Sequence, residues 1–400
     1  MATHVRRMAE ADIEQVSIVQ SSAFGGVLAD WMQRYHEGPR FTWRDAWVVD
    51  VDGEIGAAAV AIPSTWWFNG VAFPVSAIAA VAVGVVYRRR GLASQMMRAI
   101  LQADQEANRP YSMLYPFQHG FYRRLGYATV GWTHFYRLPV AQLPDAPALR
   151  HKVRLLHSTD YEAVYDLYRQ SLVSGPGGLE RNAGQWIKRW TRKEEQWVVY
   201  DDGAIQGYLA YQRVENQLDV RELVATTSDA ERGLWAFLAA QIEQIRAVTF
   251  HAPTDRPLWA MLREPLMFEA ANRGFVLNDA AALTASLMLR TVNVPNVLAW
   301  LAVDPQIHGE IRLALQDTIL TNNQATWAIS FNDGQASATA TDAPPTASCD
   351  IVTFTQLCCG ALRARDARWQ GLLQADDATT TLLDHAFRGP TPYIAPADWF

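Results

Sequence analysis

Apolar and polar positions alternate in short beats along most of this chain and shift to helical spacing in a few places. Behind Ala9-Glu-Ala-Asp, the residues Ile13, Val16 and Val19 return every three positions, which predicts an amphipathic helix over 9–24 that ends at Phe24-Gly25-Gly26. Residues 46–60 read as strand, Asp52-Gly53 turn, strand. A third strand is predicted through Trp66-Trp67-Phe68, after which Asn69-Gly70 turns the chain into the apolar run 71–86. Pro74, Ser76 and two alanine pairs interrupt that run, and it falls short of the ~20 residues a membrane helix needs, so it reads as two sheet segments.

The rest of the chain is arranged around the end of that run. Val81-Ala82-Val83 leads through Arg88-Arg89-Arg90-Gly91 into Leu92 and Ala93, and Leu92, Met96, Ala99 and Ile100 then recur at helical spacing. A strand, a basic turn and a helix start in that order form a phosphate cradle: backbone N–H groups and the positive end of the helix dipole face an anion, and Gly91 lets the main chain come close. Three cations at a helix N-terminus oppose the dipole unless an anion sits among them. Downstream, Tyr111–Phe117 is a strand pattern, followed by Phe121-Tyr122-Arg-Arg-Leu-Gly126-Tyr127.

Arg88, Gly91 and Ala93 resemble the R/Q-x-x-G-x-G/A loop by which GCN5-related (GNAT) N-acetyltransferases hold coenzyme A, and Phe121–Tyr127 resembles their F-Y-x-x-x-G-[YF] helix. The triple arginine, Tyr115-Pro-Phe117 ahead of that helix, Leu289-Arg-Thr-Val-Asn293-Val-Pro295 and an aromatic last residue together resemble the Eis (enhanced intracellular survival) acetyltransferases over the whole chain. The resemblance implies an α/β (α+β) protein: tandem GNAT folds, each a mixed, mostly antiparallel sheet with helices, then a sterol-carrier-protein-like domain. The units expected are 1–140, binding acetyl-CoA and closing with a β-α-β to about residue 138; 141–290, a degenerate second copy; and 291–400, delivering the C-terminal carboxylate.

An internal repeat supports the tandem reading. Trp47-Val-Val with Asp52-Gly53-x-Ile55 recurs as Trp197-Val-Val with Asp202-Gly203-x-Ile205. Gly233 and Leu234 are expected at the places of Gly91 and Leu92, with Glu231 and Trp235 barring a pyrophosphate from this copy. Ser174–Gly178 is glycine-rich without a P-loop lysine and reads as a flexible loop. The third unit predicts a helix from Val297, a strand pair about an Asn332–Gln335 turn, and helices near 354–363 and 379–387.

Composition narrows the chemistry. Four hundred residues, 50% hydrophobic, are too many for one core, and a formal charge of -6 argues against nucleic acid as the main partner. The first ten residues lack a signal peptide's apolar stretch, and three late cysteines, Cys349, Cys358 and Cys359, form no disulfide framework, so a cytoplasmic protein without membrane partners is expected. Metal-ligand spacings and G-x-S-x-G are absent, and no metal is expected.

The resemblance implies acetyl transfer to a primary amine. Val81, Ala82 and Val83 would bond the pantetheine arm, Arg88, Arg89, Arg90, Gly91, Leu92 and Ala93 the pyrophosphate, Tyr122 would protonate the departing thiolate, and the Phe400 carboxylate would take the amine's proton. Tyr127 is expected to pack. Candidate pocket residues are Phe24, Asp30, Glu37, Trp66, Phe117, His119 and Trp399, with Asp398 another partner for an ammonium; Glu37, Asp30 and His119 are the alternative bases. Fifteen tryptophans point to a flatter or less cationic amine than an aminoglycoside. Other readings stay open: a tandem-GNAT transferase with another acyl donor, or a non-enzymatic lipid or small-ligand carrier using the last domain. The family also implies a homo-oligomer, a hexamer built as a trimer of dimers.

Overall fold

The structure is a computed structural model that describes residues 2–175, 177–256, 258–264 and 280–400. The first unit runs β1 (Thr3–Arg7), α1 (Ile13–Phe24), α2 (Leu28–Glu37), β2 (Ala46–Val51), β3 (Glu54–Phe68), β4 (Val71–Val83), α3 (Leu92–Glu106), β5 (Tyr111–Leu114), α4 (His119–Arg123) and β6 (Ala128–Pro139). The second runs α5 (Pro147–Arg150), β7 (Val153–Leu155), α6 (Tyr161–Ser174), β8 (Gly178–Leu179), α7 (Ala183–Trp190), β9 (Glu195–Asp201), β10 (Ile205–Val214), β11 (Gln217–Ala225), α8 (Ser228–Ala239), β12 (Ala247–Pro253) and β13 (Ala282–Thr291). The third runs α9 (Val294–Trp300), β14 (Gly309–Gln316), β15 (Thr326–Asn332), β16 (Gln335–Ala340), β17 (Ala347–Asp350), α10 (Ile351–Cys358), α11 (Ala364–Trp369), β18 (Leu373–Ala375) and α12 (Asp377–Ala386).

Several expectations shift. Trp66–Phe68 is the far end of the fifteen-residue β3 and not a separate strand, and 71–83 is one strand, β4, not two segments. The glycine-rich stretch ends in β8, where Leu179 pairs with Trp66, so only part of it is a loop; Pro176 within it lies outside the described residues.

The larger correction concerns how the first two units close. Their strands form one continuous sheet in the order β1-β2-β3-β4-β5-β13-β6-β12-β11-β10-β9-β7, with β8 beside β3. β13, from the end of the second unit, pairs antiparallel with β5, Met288 opposite Leu114. β6, from the first unit, pairs antiparallel with β12, Ala247 opposite Pro139, and β13 and β6 also pair with each other. Each half therefore borrows its closing strand from the other. Local patterning carries no sign of this, because Leu287-Met-Leu289 reads as an apolar strand that suits any sheet edge.

Alternate residues send the first unit's sheet into two cores. Ala58, Val60, Ile62, Val75 and Ala77 face α1, α2 and the third unit. Ala57, Ala59, Ala61 and Ile78 face α3 and α4. The third unit, a five-stranded sheet ordered β16-β15-β14-β17-β18, is fastened through Arg290, whose buried guanidinium gives Nη2 to both oxygens of Asp317 at 2.7 Å. All three cysteines are buried and free, and among the described residues no helix is long and apolar enough to cross a membrane.

Candidate active site

β4 outruns its neighbour. Its parallel pairing with β5 ends at Ile78–Leu114, while its other side stays with β3 as far as Val83 opposite Ala57. Between Ala58 and Val60 the β3 register slips, and the extra residue, Ala80, takes φ 52°. A left-handed alanine costs about 1–2 kcal/mol, so something must hold it. Buried Gln20 of α1 donates Nε2 to the Ala80 carbonyl at 3.0 Å, and its Oε1 accepts from the Tyr35 hydroxyl of α2 at 2.7 Å. Past the bulge, Val81, Ala82 and Val83 present one backbone edge that no strand of the described residues pairs. An extended ligand can add to such an edge as a strand would.

The basic loop follows. Arg88, Arg89 and Arg90 are exposed, Arg89 at φ 61°, and the Arg90 guanidinium lies 5.4 Å from the Tyr87 ring centre. Gly91 is the N-cap of α3 at φ 80°, with no side chain capping the helix, and a Cβ built on it would meet nothing within 4 Å. The first-turn amides, with Leu92 buried beneath and Ala93 partly covered, are thus turned to open space, which suits a pyrophosphate.

The corresponding place in the second copy differs from the expected alignment. Helix α8 starts at Ser228, so Gly233 and Trp235 lie inside it, and the counterpart of Gly91 is Thr227. Its side chain accepts from the Ala230 N–H at 3.2 Å and so fills the cap, while Asp229 and Glu231 stand in the first turn. Gly233 is a packing glycine: a Cβ there would meet the Tyr200 ring at 2.6 Å.

Tyr122 on α4 is 2% exposed, between Phe117, Phe121 and Tyr127, with ring centres 5.5, 4.9 and 5.9 Å away. Burial pushes its phenol up, so it stays protonated at neutral pH. Tyr127 is core, its hydroxyl 2.8 Å from Ser112 Oγ. Gly126 between them adopts φ 86°, and a Cβ on it would stand 2.5 Å from Arg290 Nε, so that motif glycine makes room for the arginine joining the third unit.

The chain's last residues return to the first unit on the sheet's other face. Phe400 packs on Tyr115, ring centres 5.1 Å apart, and Trp399 lies between Tyr115 and His251 at 5.7 and 5.1 Å. Arg40 gives Nη1 to the Trp399 carbonyl at 2.6 Å. Asp398 is 2% exposed; Arg181 donates Nε and Nη2 to it at 2.6 Å each, and the Tyr168 hydroxyl adds a third bond at 3.0 Å. Arg181 also reaches Glu222 at 2.5 Å, and Glu222 accepts from Arg189 at 2.8 Å and Tyr208 at 2.9 Å. Burial alone pushes the Glu222 carboxyl up, but the charges of Arg181 and Arg189 outweigh it and bring it to about 2.

A cavity of about 260 Å³ opens beside this tail, lined by Trp399 and Phe400 together with Ile62 of β3 and Ala79, next to the bulge. Tyr122 and Phe400 therefore lie on opposite faces of the sheet, with the open edge of β4 between them.

The other pocket candidates separate. Trp66 is corrected to a core residue: it is 0% exposed and stacks on Phe68 at 4.9 Å. Asp398 is consumed by Arg181 and holds the tail, not an ammonium. Asp30 and Glu37 are exposed and do not line the cavity. Phe24 is exposed against Trp31 at 6.0 Å, Phe117 is exposed beside Tyr122, and His119 Nδ1 is engaged with Thr129 Oγ1 at 2.8 Å. Gln20, Arg40, Tyr115 and Arg181 were not foreseen, since each acts through partners distant in sequence; only the Tyr-Pro-Phe signature pointed at Tyr115.

Known proteins carry the same parts. Residues 4–130 and 177–289 each match the family described as acetyltransferase (GNAT) domain, and 294–395 match the sterol carrier protein domain. The fold and loop define an acyltransferase of the GNAT class. Within it the chain is similar to N-acetyltransferase Eis of Mycobacterium tuberculosis strain H37Ra, which is 27% identical over 347 residues, 80% of each chain. An uncharacterized N-acetyltransferase of Streptomyces griseus is 27% identical over 218 residues, 47% of this chain and 52% of its own. In fold, a GCN5-related N-acetyltransferase from Anabaena variabilis superposes with TM-score 0.87 at 23% identity, and Eis1 from Mycobacterium abscessus with 0.78 at 20%, each covering 100% of both chains.

Proposed function

We propose that this chain transfers the acetyl group of acetyl-CoA to a primary amine of a small molecule, with Tyr122 as proton donor and the Phe400 carboxylate as proton acceptor. The observation that carries the reading is the terminal residue held beside Ala79, where β4 leaves its partner, by Arg40 and by Asp398 in the grip of Arg181. Acetyl-CoA supplies an activated acetyl thioester. The open edge of Val81–Val83 binds its pantetheine arm, and a free N–H there polarises the carbonyl. Arg88, Arg89, Arg90 and the α3 amides hold the pyrophosphate.

As the amine nitrogen forms its bond to the carbonyl carbon it becomes a strong acid, so even a weakly basic α-carboxylate can take its proton, directly or through one water. As the carbon–sulfur bond breaks, Tyr122 gives its proton to sulfur. Its raised phenol suits the task, because the same dry surroundings also raise the thiol that forms. The catalytic unit, residues 1–140, is completed by β13; residues 141–290 form a cofactor-free scaffold, and 291–400 deliver the terminus. The assembly is a cytoplasmic homo-oligomer, a trimer of dimers, as the family resemblance implies.

An amine panel assayed by thiol release tests the reading. Acetylation of at least one amine, lost when residues are appended after Phe400 while coenzyme A affinity persists, is the expected result. Wild-type turnover by the extended chain would overturn the role of Phe400.

A further inference from the structure

The cavity beside Phe400 has a charge opposite to that of the whole chain. Seven cationic side chains line it, Arg34, Arg40, Arg181, Lys188, Arg189, Arg192 and Arg221, against one acidic side chain, Asp398, and the terminal carboxylate of Phe400, in a protein of formal charge -6. Arg181 and Arg189 are neutralised by Asp398, Glu222 and Glu195. Arg192 approaches Glu195 at 3.8 Å, and Arg221 is paired with Asp219 at 3.0 Å. Arg34, Arg40 and Lys188 have no ion pair among the described residues. They come from different elements, Arg34 from α2, Arg40 from the turn after it and Lys188 from α7, so the fold and not a local run gathers them.

The crowding shows in their ionisation. Burial lowers the Lys188 ammonium, and Arg192, Arg34 and Arg40 lower it further. Burial likewise lowers Arg40, with Asp398 opposing and Arg181 and Arg192 adding to the fall. Like charges around one cavity repel each other, and an anion among them relieves every pair at once. A polycationic acceptor would meet the reverse: repulsion from Arg34, Arg40 and Lys188, with Asp398 already bound and the Phe400 carboxylate alone left to face its charges.

We infer that the acceptor of this enzyme carries an anionic group, a carboxylate or phosphate set back from its amine, which Arg34, Arg40 and Lys188 hold while the amine reaches the Phe400 carboxylate. This rests on the acetyltransfer reading and names its substrate class.

The test compares amines that differ only in the anion: 6-aminohexanoate against 6-aminohexanol, O-phosphoethanolamine against ethanolamine, with spermine as the cationic extreme. Expected is kcat/KM about tenfold or more higher for an anionic member than its neutral mate, the two pairs separating carboxylate from phosphate. In the Arg34→Glu/Lys188→Glu double variant, checked for native melting, that ratio should fall below one and spermine should gain. Preference for neutral or cationic members by the native enzyme, or a ratio unmoved by the double variant, would overturn the inference. Calorimetry of the same ligands on coenzyme A-saturated protein separates the two readings. Thiol release with no amine of the panel would sink the acetyltransfer reading, and binding of the anionic members through Arg34 and Lys188 would then leave an anion site without an acceptor; acetylation of neutral or cationic amines with no anionic preference in binding or turnover would sink this inference alone.

Discussion

Tyr122 and Gly126 sit four positions apart in one motif and do different work. In the proposed reaction Tyr122 acts only as sulfur departs, so Tyr122→Phe should lower kcat by about 10²–10⁴-fold with little change in KM, read by steady-state thiol release. Gly126 touches no substrate. Gly126→Ala would place a methyl 2.5 Å from Arg290 Nε at φ 86°, so a loss of about 2–4 kcal/mol in denaturant unfolding is expected. Both residues were legible in the F-Y-x-x-x-G pattern, but only the structure says why the glycine is there, because its reason, Arg290, lies far along the chain. Trp66 shows the converse. An indole in the acceptor half read as pocket wall, yet large aromatics are good core filler, and composition cannot tell the two apart.

Among the elements, the tail is held in place by buried charges. Glu222 has its carboxyl at about 2 in the fold against 4.5 unfolded, so the stability it contributes is complete above about 4.5 and drains away as pH falls toward 2. Glu222→Gln leaves Arg181 and Arg189 short of a counter-charge in a buried site and should cost about 3–5 kcal/mol at pH 7, while making unfolding less steep in acid over that window. The loop of α3 makes a separate prediction. Arg88→Glu should weaken coenzyme A binding at least tenfold by calorimetry, with one site per chain in the native protein, because Thr227 already fills the matching cap of α8. The strand-turn-helix beats and the 150-residue repeat made most elements readable. The second copy's loop was misaligned by six residues, from Thr227 to Gly233, since Gly233-Leu234 repeats the letters of Gly91-Leu92 without their backbone geometry.

For the molecule as a whole, tandem domains were legible and their closure was not, because which edge an apolar strand joins is decided by distant partners. Residues 1–140 expressed alone leave β5 and β6 without the strand between them, so this piece should aggregate or stay unfolded, and appending residues 280–293 through a flexible linker should restore a cooperative melt. A well-folded, monomeric 1–140 would show the exchange to be dispensable.

The same exchange sets a clock on synthesis. β5 leaves the ribosome at Leu114, but the strand that must lie against it is not finished until Thr291, ~180 residues later; at ~5–20 residues per second that is roughly ten to thirty-five seconds. Throughout that interval the nascent chain carries an open sheet edge beside an apolar cleft. Slow codons or scarce chaperones between those two points would therefore be felt as aggregation of the first domain, although most of the residues responsible for the delay belong to the second.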